Sequence, residues 1–331
     1  MHMMAGESLP GSFGGRLMIH VILNPASRSG KGQKLWEKIQ RVLVDHDVEF
    51  QPHFTKQSGS ATKFARELTK DLGDNERVSL LVIGGDGTLD EVLQGVKDYD
   101  YSKVTISYVP GGSGNDFARD YPPSGKTIEK LIHLLETPTK YVVDLGKAEM
   151  LLDDGKKHVH YFPVSAGMGF DAAVCAGVDG TGMKRFLNKI GLGKFVYLYI
   201  AVREVFFSKH PPCRLTLSDG TTHLFNHLLF AAFMNHRFEG GGFMFGPEAD
   251  ATDGKIDLCL PNIRNGFKVL RIIPSAYKGT HVRFKDIHMF RDCSFRIQSD
   301  IPLYVHCDGE VPGKSKDMRI TCIPKALTVY M

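Results

Sequence analysis

The residues best placed to do chemistry gather in a glycine turn, Gly84-Gly85-Asp86-Gly87-Thr88. It follows an apolar, β-branched run at 79–83 and precedes Leu89, Val92, Leu93 and Val96, which recur at i, i+3, i+4 and i+7. The run reads as a parallel strand covered on both faces, and the later spacing as one face of a helix. Glycine in such a turn permits φ > 0 and lets a ligand approach the main chain without meeting a Cβ. The free N–H groups and positive dipole end at the helix start suit phosphate oxygens. Asp86 would repel that phosphate unless a divalent cation or a transferring proton sits between them. A tight βα turn with an Asp cap is the plainer reading of the same residues. The charge of Asp86, at the sheet edge, has no evident structural duty in the sequence.

A second turn of this kind follows the apolar run 104–109, as Pro110-Gly111-Gly112-Ser113-Gly114-Asn115-Asp116. In an open α/β sheet, loops leaving neighbouring strands at their carboxyl ends line the ligand crevice. Backbone amides at 85–88 and 112–114, with the hydroxyls of Thr88 and Ser113, could therefore cradle phosphates. Near the other end, Asp308-Gly309-Glu310 closes the run 303–306 with two carboxylates two residues apart, expected to project to one side of a strand. One carboxylate can raise the pKa of the other, which suits a general base. An Asp-Gly hairpin turn is the alternative.

The paired GGDGT and PGGSGNDFAR strings resemble the diacylglycerol kinase catalytic-domain family, which includes bacterial lipid kinases and sphingosine and ceramide kinases. Further strings match in order: Asp144-Leu145-Gly146, the segment 165–172 (SAGMGFDA), 193–198 (GKFVYL), 251–257 (ATDGKID) and Asp308-Gly309-Glu310. Two departures stand out: Ser113 where the family usually has Thr, and Arg28 where a glycine is common.

This resemblance implies an ATP-dependent lipid kinase that requires Mg²⁺ and phosphorylates the hydroxyl of diacylglycerol or a similar lipid at the bilayer surface. It places the nucleotide at Asn24, Pro25, Ala26, Ser27, Thr55, Gly85, Asp86, Gly87, Thr88, Leu89, Glu91, Gly112, Ser113 and Asn115. It sets Asp86, Asp116 and Asp144 around the catalytic magnesium, which binds few protein oxygens and keeps several waters. A second cation would sit at Asp253 with main-chain oxygens of Asp250 and Lys255, where the residues alone read as a hairpin turn. The acceptor base comes from Glu310 or Asp308. An NAD kinase-type enzyme would share GGDGT but not the Asn-Asp-Phe-Ala-Arg string. A lipid-binding protein that has lost catalysis is disfavoured by intact Asp86, Asp116, Asp308 and Glu310. A hydrolase is disfavoured too, since no G-x-S-x-G elbow is present.

The loop 24–32 contains Gly30-Lys31, but Gly32 and Pro25 break the Walker pattern. Around these motifs the chain alternates strand and helix to about residue 140: strands at 17–23 and 48–55, helices over 35–43, 58–72 and 127–136. That rhythm predicts a parallel sheet with helices on both sides. Beyond it, short alternating runs at 141–143, 158–164, 214–217, 227–233, 255–260, 294–297, 303–307 and 318–323 predict a mostly antiparallel sandwich, with a helical insertion over 184–207. The fold class is therefore an α/β N-terminal domain with a parallel sheet, NAD kinase/phosphofructokinase-like by resemblance, plus a mostly antiparallel β-sandwich C-terminal domain. Expected boundaries are 1–16 as a leader, 17–140 for nucleotide and 141–331 for lipid, the last strand returning to the first domain. Apolar stretches 195–200 and 228–233 and the glycine-rich 238–245 would line an acyl groove or form core.

The 331 residues, 42% hydrophobic and 24% charged, suit a globular protein of two domains. A net charge of +4 permits attraction to an anionic membrane, and no basic run is dense enough for nucleic acid. Six cysteines without metal spacing suit reduced thiols in a cytosol. The longest apolar run, 195–207, is interrupted by Arg203 and Glu204 and is too short to span a bilayer. The expectation is a cytoplasmic protein, peripheral at the inner membrane face, with a homodimer compatible with these data.

Overall fold

A computed structural model describes residues 18–24, 32–112, 114–123, 125–179 and 203–331. The chain divides into two compact units, one running to Asp144 and including Lys325–Met331, the other comprising Leu145–Pro324.

In the first unit, β1 (Ile19–Leu23), β2 (Phe50–Phe54), β3 (Val78–Gly84) and β4 (Val104–Pro110) alternate with α1 (Gly32–Asp45), α2 (Ser60–Thr69) and α3 (Asp86–Gly95). Helix α4 (Thr127–Glu136) follows, and the end of β14 (Glu310–Tyr330) completes the unit. Every pairing is parallel, in the order β2-β1-β3-β4-β14. Leu80, Leu81, Val82 and Ile83 are all buried, as a strand covered on both faces requires. On α1, Trp36, Ile39 and Leu43 lie on one helical stripe and pack with Val21, Leu23, Leu81 and Ile83. The Trp36 ring meets Phe54 edge-on at 5.2 Å. Because β2 and β3 pair with opposite edges of β1, the winding reverses beside β1. In such sheets ligands bind at the carboxyl ends of the strands flanking that reversal.

The second unit is built of antiparallel strands: β5 (Lys140–Leu152), β6 (Lys157–Phe162), β7 (Ser165–Gly169), β8 (Cys213–Leu217), β9 (Thr222–Phe225), β10 (Phe230–Met234), β11 (Ile256–Pro261), β12 (Ile287–Asp292), β13 (Ser294–Cys307) and β14. They run in the order β12-β11-β10-β7-β13-β14, with β5-β6 on β14 and β8-β9 on β13. Helix α5 (Phe170–Asp179) leaves β7, and α6 (Gly266–Ala276) precedes β12. The expected class, a parallel α/β part and an antiparallel part, is the one observed.

Several strands exceed their expected length. The runs 294–297 and 303–307 belong to one 14-residue strand with a register shift between Gln298 and Leu303. Pro302, which has no N–H to donate, falls in that gap and makes the sequence read as two strands. The run 318–323 lies inside the 21-residue β14. Residues 228–233 are buried and pack in the core. In the expected insertion 184–207, residues 203–207 are helical, and 184–202, with the stretch 195–200, lie outside the described residues.

Candidate active site

The two glycine turns leave the carboxyl ends of adjacent strands and press backbone against backbone. Strands β3 and β4 pair through Gly84↔Pro110, and the Gly111 N–H donates to the Gly84 carbonyl at 2.7 Å. A Cβ on Gly112 would lie 2.6 Å from the Gly85 Cα, so that position admits glycine alone without main-chain movement. A Cβ on Gly84 would lie 2.5 Å from the Thr88 hydroxyl oxygen, which folds back over it. Asn115, at φ 53°, closes the second turn by accepting from the Gly112 N–H at 2.9 Å and donating to the Gly112 carbonyl at 3.0 Å. Short polar side chains tolerate this left-handed conformation best. From below, the buried Tyr108 hydroxyl donates to the Gly84 carbonyl at 3.2 Å.

Asp86 joins the turns. Its carboxylate accepts the backbone N–H groups of Asp116 at 2.9 Å and Phe117 at 3.2 Å, capping the short 3-10 helix Phe117–Asp120. The expectation that its charge lacks a structural duty is thus corrected: an acid in one loop satisfies orphan amides of another. Burial pushes its pKa up, against the pull of those amides, and the Asp116 charge adds to the rise. Asp116 occupies the N-cap position, but its side chain makes no cap bond and instead meets the Arg119 Nε at 3.0 Å. Asp144, fully buried, accepts the Lys325 N–H at 2.7 Å.

The other nucleotide-site positions fall as follows. Asn24 and the buried Thr55 follow β1 and β2 at their carboxyl ends, and the Thr55 N–H donates to the Leu23 carbonyl at 2.9 Å. Gly87 has open space at its Cα, and Leu89 is fully buried in the core. Glu91 holds the start of α2, accepting from the N–H groups of Gly59 at 2.8 Å and Ala61 at 3.1 Å. Pro25, Ala26, Ser27 and Ser113 lie outside the described residues.

Asp86, Asp116 and Asp144 offer carboxylate oxygens, the donor chemistry magnesium takes. Among the described residues, Asp86, Asp116 and Asp144 are not a group with ligand atoms within 4.8 Å of one another.

In the second unit, Asp308 and Gly309 have φ of 47° and 86° and form the hairpin turn between β13 and β14, with Glu310 opposite Cys307. Two consecutive positive φ values are the signature of a tight Asp-Gly hairpin. The expectation of two carboxylates on one face of a strand is therefore corrected. The Asp308 carboxylate accepts the Val164 and Ser165 N–H groups at 3.1 and 2.9 Å, while Glu310 is exposed. The Asp250 carboxylate accepts from Thr252, and that of Asp253 accepts the Lys255 N–H at 2.9 Å. These are turn-closing contacts, and burial raises the Asp253 pKa.

Two carboxylates around a buried histidine escaped the sequence reading. The His306 Nε2 lies 3.1 Å from Asp171 and 3.2 Å from Glu239 carboxylate oxygens. Burial opposes the charging of His306, but the two carboxylates prevail and hold its pKa well above the usual imidazole range. They also raise the Cys259 thiol, after burial. Val305, His306 and Cys307 are all buried, so alternation along β13 does not single out His306, and nothing in the sequence brings distant Glu239 to it.

These features match known proteins over both units. Residues 18–148 match the profile of the diacylglycerol kinase catalytic domain, and 165–331 match that of the YegS C-terminal NAD kinase beta sandwich-like domain. The chain belongs to the diacylglycerol kinase catalytic-domain family, and its second unit is of the sandwich-like type found there. It is 29% identical to "Putative lipid kinase YtlR" of Bacillus subtilis over 93% of this chain and 97% of that one. It is 28% identical to a diacylglycerol kinase of Mycobacterium tuberculosis over 76% of each. A crystal structure of a diacylglycerol kinase from Bacillus anthracis superposes with a TM-score of 0.70 at 22% identity, covering 95% of this chain and 96% of that one.

Two outcomes test the site as a structure. Asp86→Asn replaces one acceptor oxygen by an amide group that faces an N–H, so it should cost about 1–3 kcal/mol in denaturant unfolding. Unchanged stability would remove the tie between the turns. For the trio, a raised imidazole pKa contributes stability that is fully present below the unfolded value of about 6.5 and is lost as pH rises through the folded value. Glu239→Gln should therefore destabilise by about 3 kcal/mol or more at pH 6, with the deficit narrowing in alkali. A deficit independent of pH would contradict this.

Proposed function

We propose that this chain transfers the γ-phosphoryl group of ATP to the hydroxyl of diacylglycerol or a similar lipid, giving phosphatidic acid or its equivalent, with Mg²⁺ required. The observation that carries the reading is the pair of glycine turns tied by Asp86, beside the winding reversal of a parallel sheet, in a member of this kinase family. N–H groups at 85–87 and of Gly114, with the Thr88 and Ser113 hydroxyls, bind the phosphates, while the Gly112 N–H holds the second turn closed on Asn115. Asn24, Thr55 and the loop through Pro25, Ala26 and Ser27 line the nucleotide pocket. Asp86, Asp116 and Asp144 hold the hydrated magnesium, which neutralises phosphate charge when bound.

Glu310 takes the proton of the acceptor hydroxyl as its oxygen bonds to the γ-phosphorus and the bridging bond to ADP breaks. Its exposure favours it over Asp308, whose carboxylate is engaged with Val164 and Ser165. A cytoplasmic enzyme at the inner membrane face meets both ATP and lipid, and no helix among the described residues is long and apolar enough to cross a membrane.

Incubation with labelled ATP, Mg²⁺ and, separately, diacylglycerol, a sphingoid base or phosphatidylglycerol should yield chloroform-soluble phosphate with at least one acceptor. Glu310→Gln should lower that turnover by about a hundredfold or more with ATP affinity nearly unchanged. No labelled lipid from any acceptor would refute the lipid-kinase reading. ATP binding lost in step with turnover would move Glu310 to the nucleotide side.

A further inference from the structure

Exposed aromatic rings collect at one place on the second unit. Phe207 is 79% exposed, Phe267 76% and Phe206 41%. The Phe206 and Phe267 rings meet edge to face with centroids 5.2 Å apart. Phe206 and Phe207 close the helical residues 203–207, and Phe267 lies in the first turn of α6. Gly266 permits this approach, since a Cβ there would lie 2.8 Å from the Phe206 ring. Helical residues 203–207 and α6 thus present one aromatic surface to solvent, where the hydrophobic effect favours covering it.

Cations lie along α6 and at its two ends. Arg271 stands four residues after Phe267 on the outward stripe of α6, and Arg264 and Lys278 flank the helix, all exposed. The neighbouring acids are engaged: Asp286 with Lys268 at 2.5 Å, and Glu204 with Ser208 at 2.5 Å and Arg203 at 3.5 Å. Aromatic rings rimmed by Arg and Lys are the composition of an interfacial anchor, the rings entering the acyl boundary and the cations meeting lipid phosphates. A two-fold contact with a second copy would set the patch against itself, bringing one set of cations, Arg264, Arg271 and Lys278, toward the other. Charge therefore favours an anionic surface.

We propose that this face, centred on Phe206, Phe207 and Phe267 with Arg264, Arg271 and Lys278 around it, docks the protein on an anionic phospholipid bilayer. Its purpose rests on the lipid-kinase reading, but its test does not. The full chain should co-sediment with phosphatidylcholine vesicles containing phosphatidylglycerol, less with phosphatidylcholine alone, and less as salt rises. The double variant Phe207→Ser/Phe267→Ser and, separately, Arg264→Glu/Arg271→Glu should each lower the partition constant roughly tenfold or more. Turnover of a monomeric short-chain diacylglycerol should be unchanged in both. Docking without turnover of any lipid would support the surface and refute the kinase reading. Failure of the wild type to sediment, or variants that sediment like it, would overturn the proposal. So would a wild-type dimer in sedimentation velocity that the phenylalanine variant converts to monomer.

Discussion

The carboxylate of Asp86 reaching the amides of Asp116 and Phe117 is the contact on which the first unit's site depends. It joins two loops that the sheet brings side by side but does not itself fasten beyond the Gly111 to Gly84 bond. The glycines set how close the loops can come: Gly112 lies against Gly85 with no room for a methyl group. A turn whose N–H groups point at a ligand must hold them there before the ligand arrives, or binding energy is spent on ordering the loop. Here the anion of one turn neutralises the helix start of the other. Asp86 accepts both amides with two of the about four lone-pair positions a carboxylate offers.

In the second unit an acid next to a glycine again does structural work. Asp308 closes the β13–β14 hairpin and binds the start of β7 through Val164 and Ser165, and Glu310 follows it as an exposed residue. Two residues before that turn, His306 carries the buried Asp171 and Glu239 contacts. The hairpin is therefore anchored from both sides.

Much of this was legible in the chain. Continuous apolar runs before each glycine turn gave β3 and β4, helical spacing gave α1 to α4, and the family strings located both turns and the Asp-Gly-Glu hairpin. What could not be read was which carboxylate is bound to what. The capping of one loop by Asp86 depends on the strand pairing Gly84↔Pro110, a long-range fact without local pattern. Glu91, read as a nucleotide contact, reaches back to α2 for the same reason. The His306 trio joins α5, a loop and β13, so no single window contains it. Long strands were cut short where Pro302 and register shifts interrupt alternation.

The central claim is that the two glycine turns act as one phosphate-binding element because their backbones are in contact. It is tested most directly by the dissociation constant of ATP for wild type and for Gly112→Ala, measured calorimetrically with Trp36 fluorescence, the chain's only tryptophan, reporting that the first unit stays folded. A Cβ placed 2.6 Å from the Gly85 Cα must push the turns apart, so the account predicts ATP binding at least about tenfold weaker with an unchanged Trp36 signal. Unaltered affinity in the folded variant would contradict it.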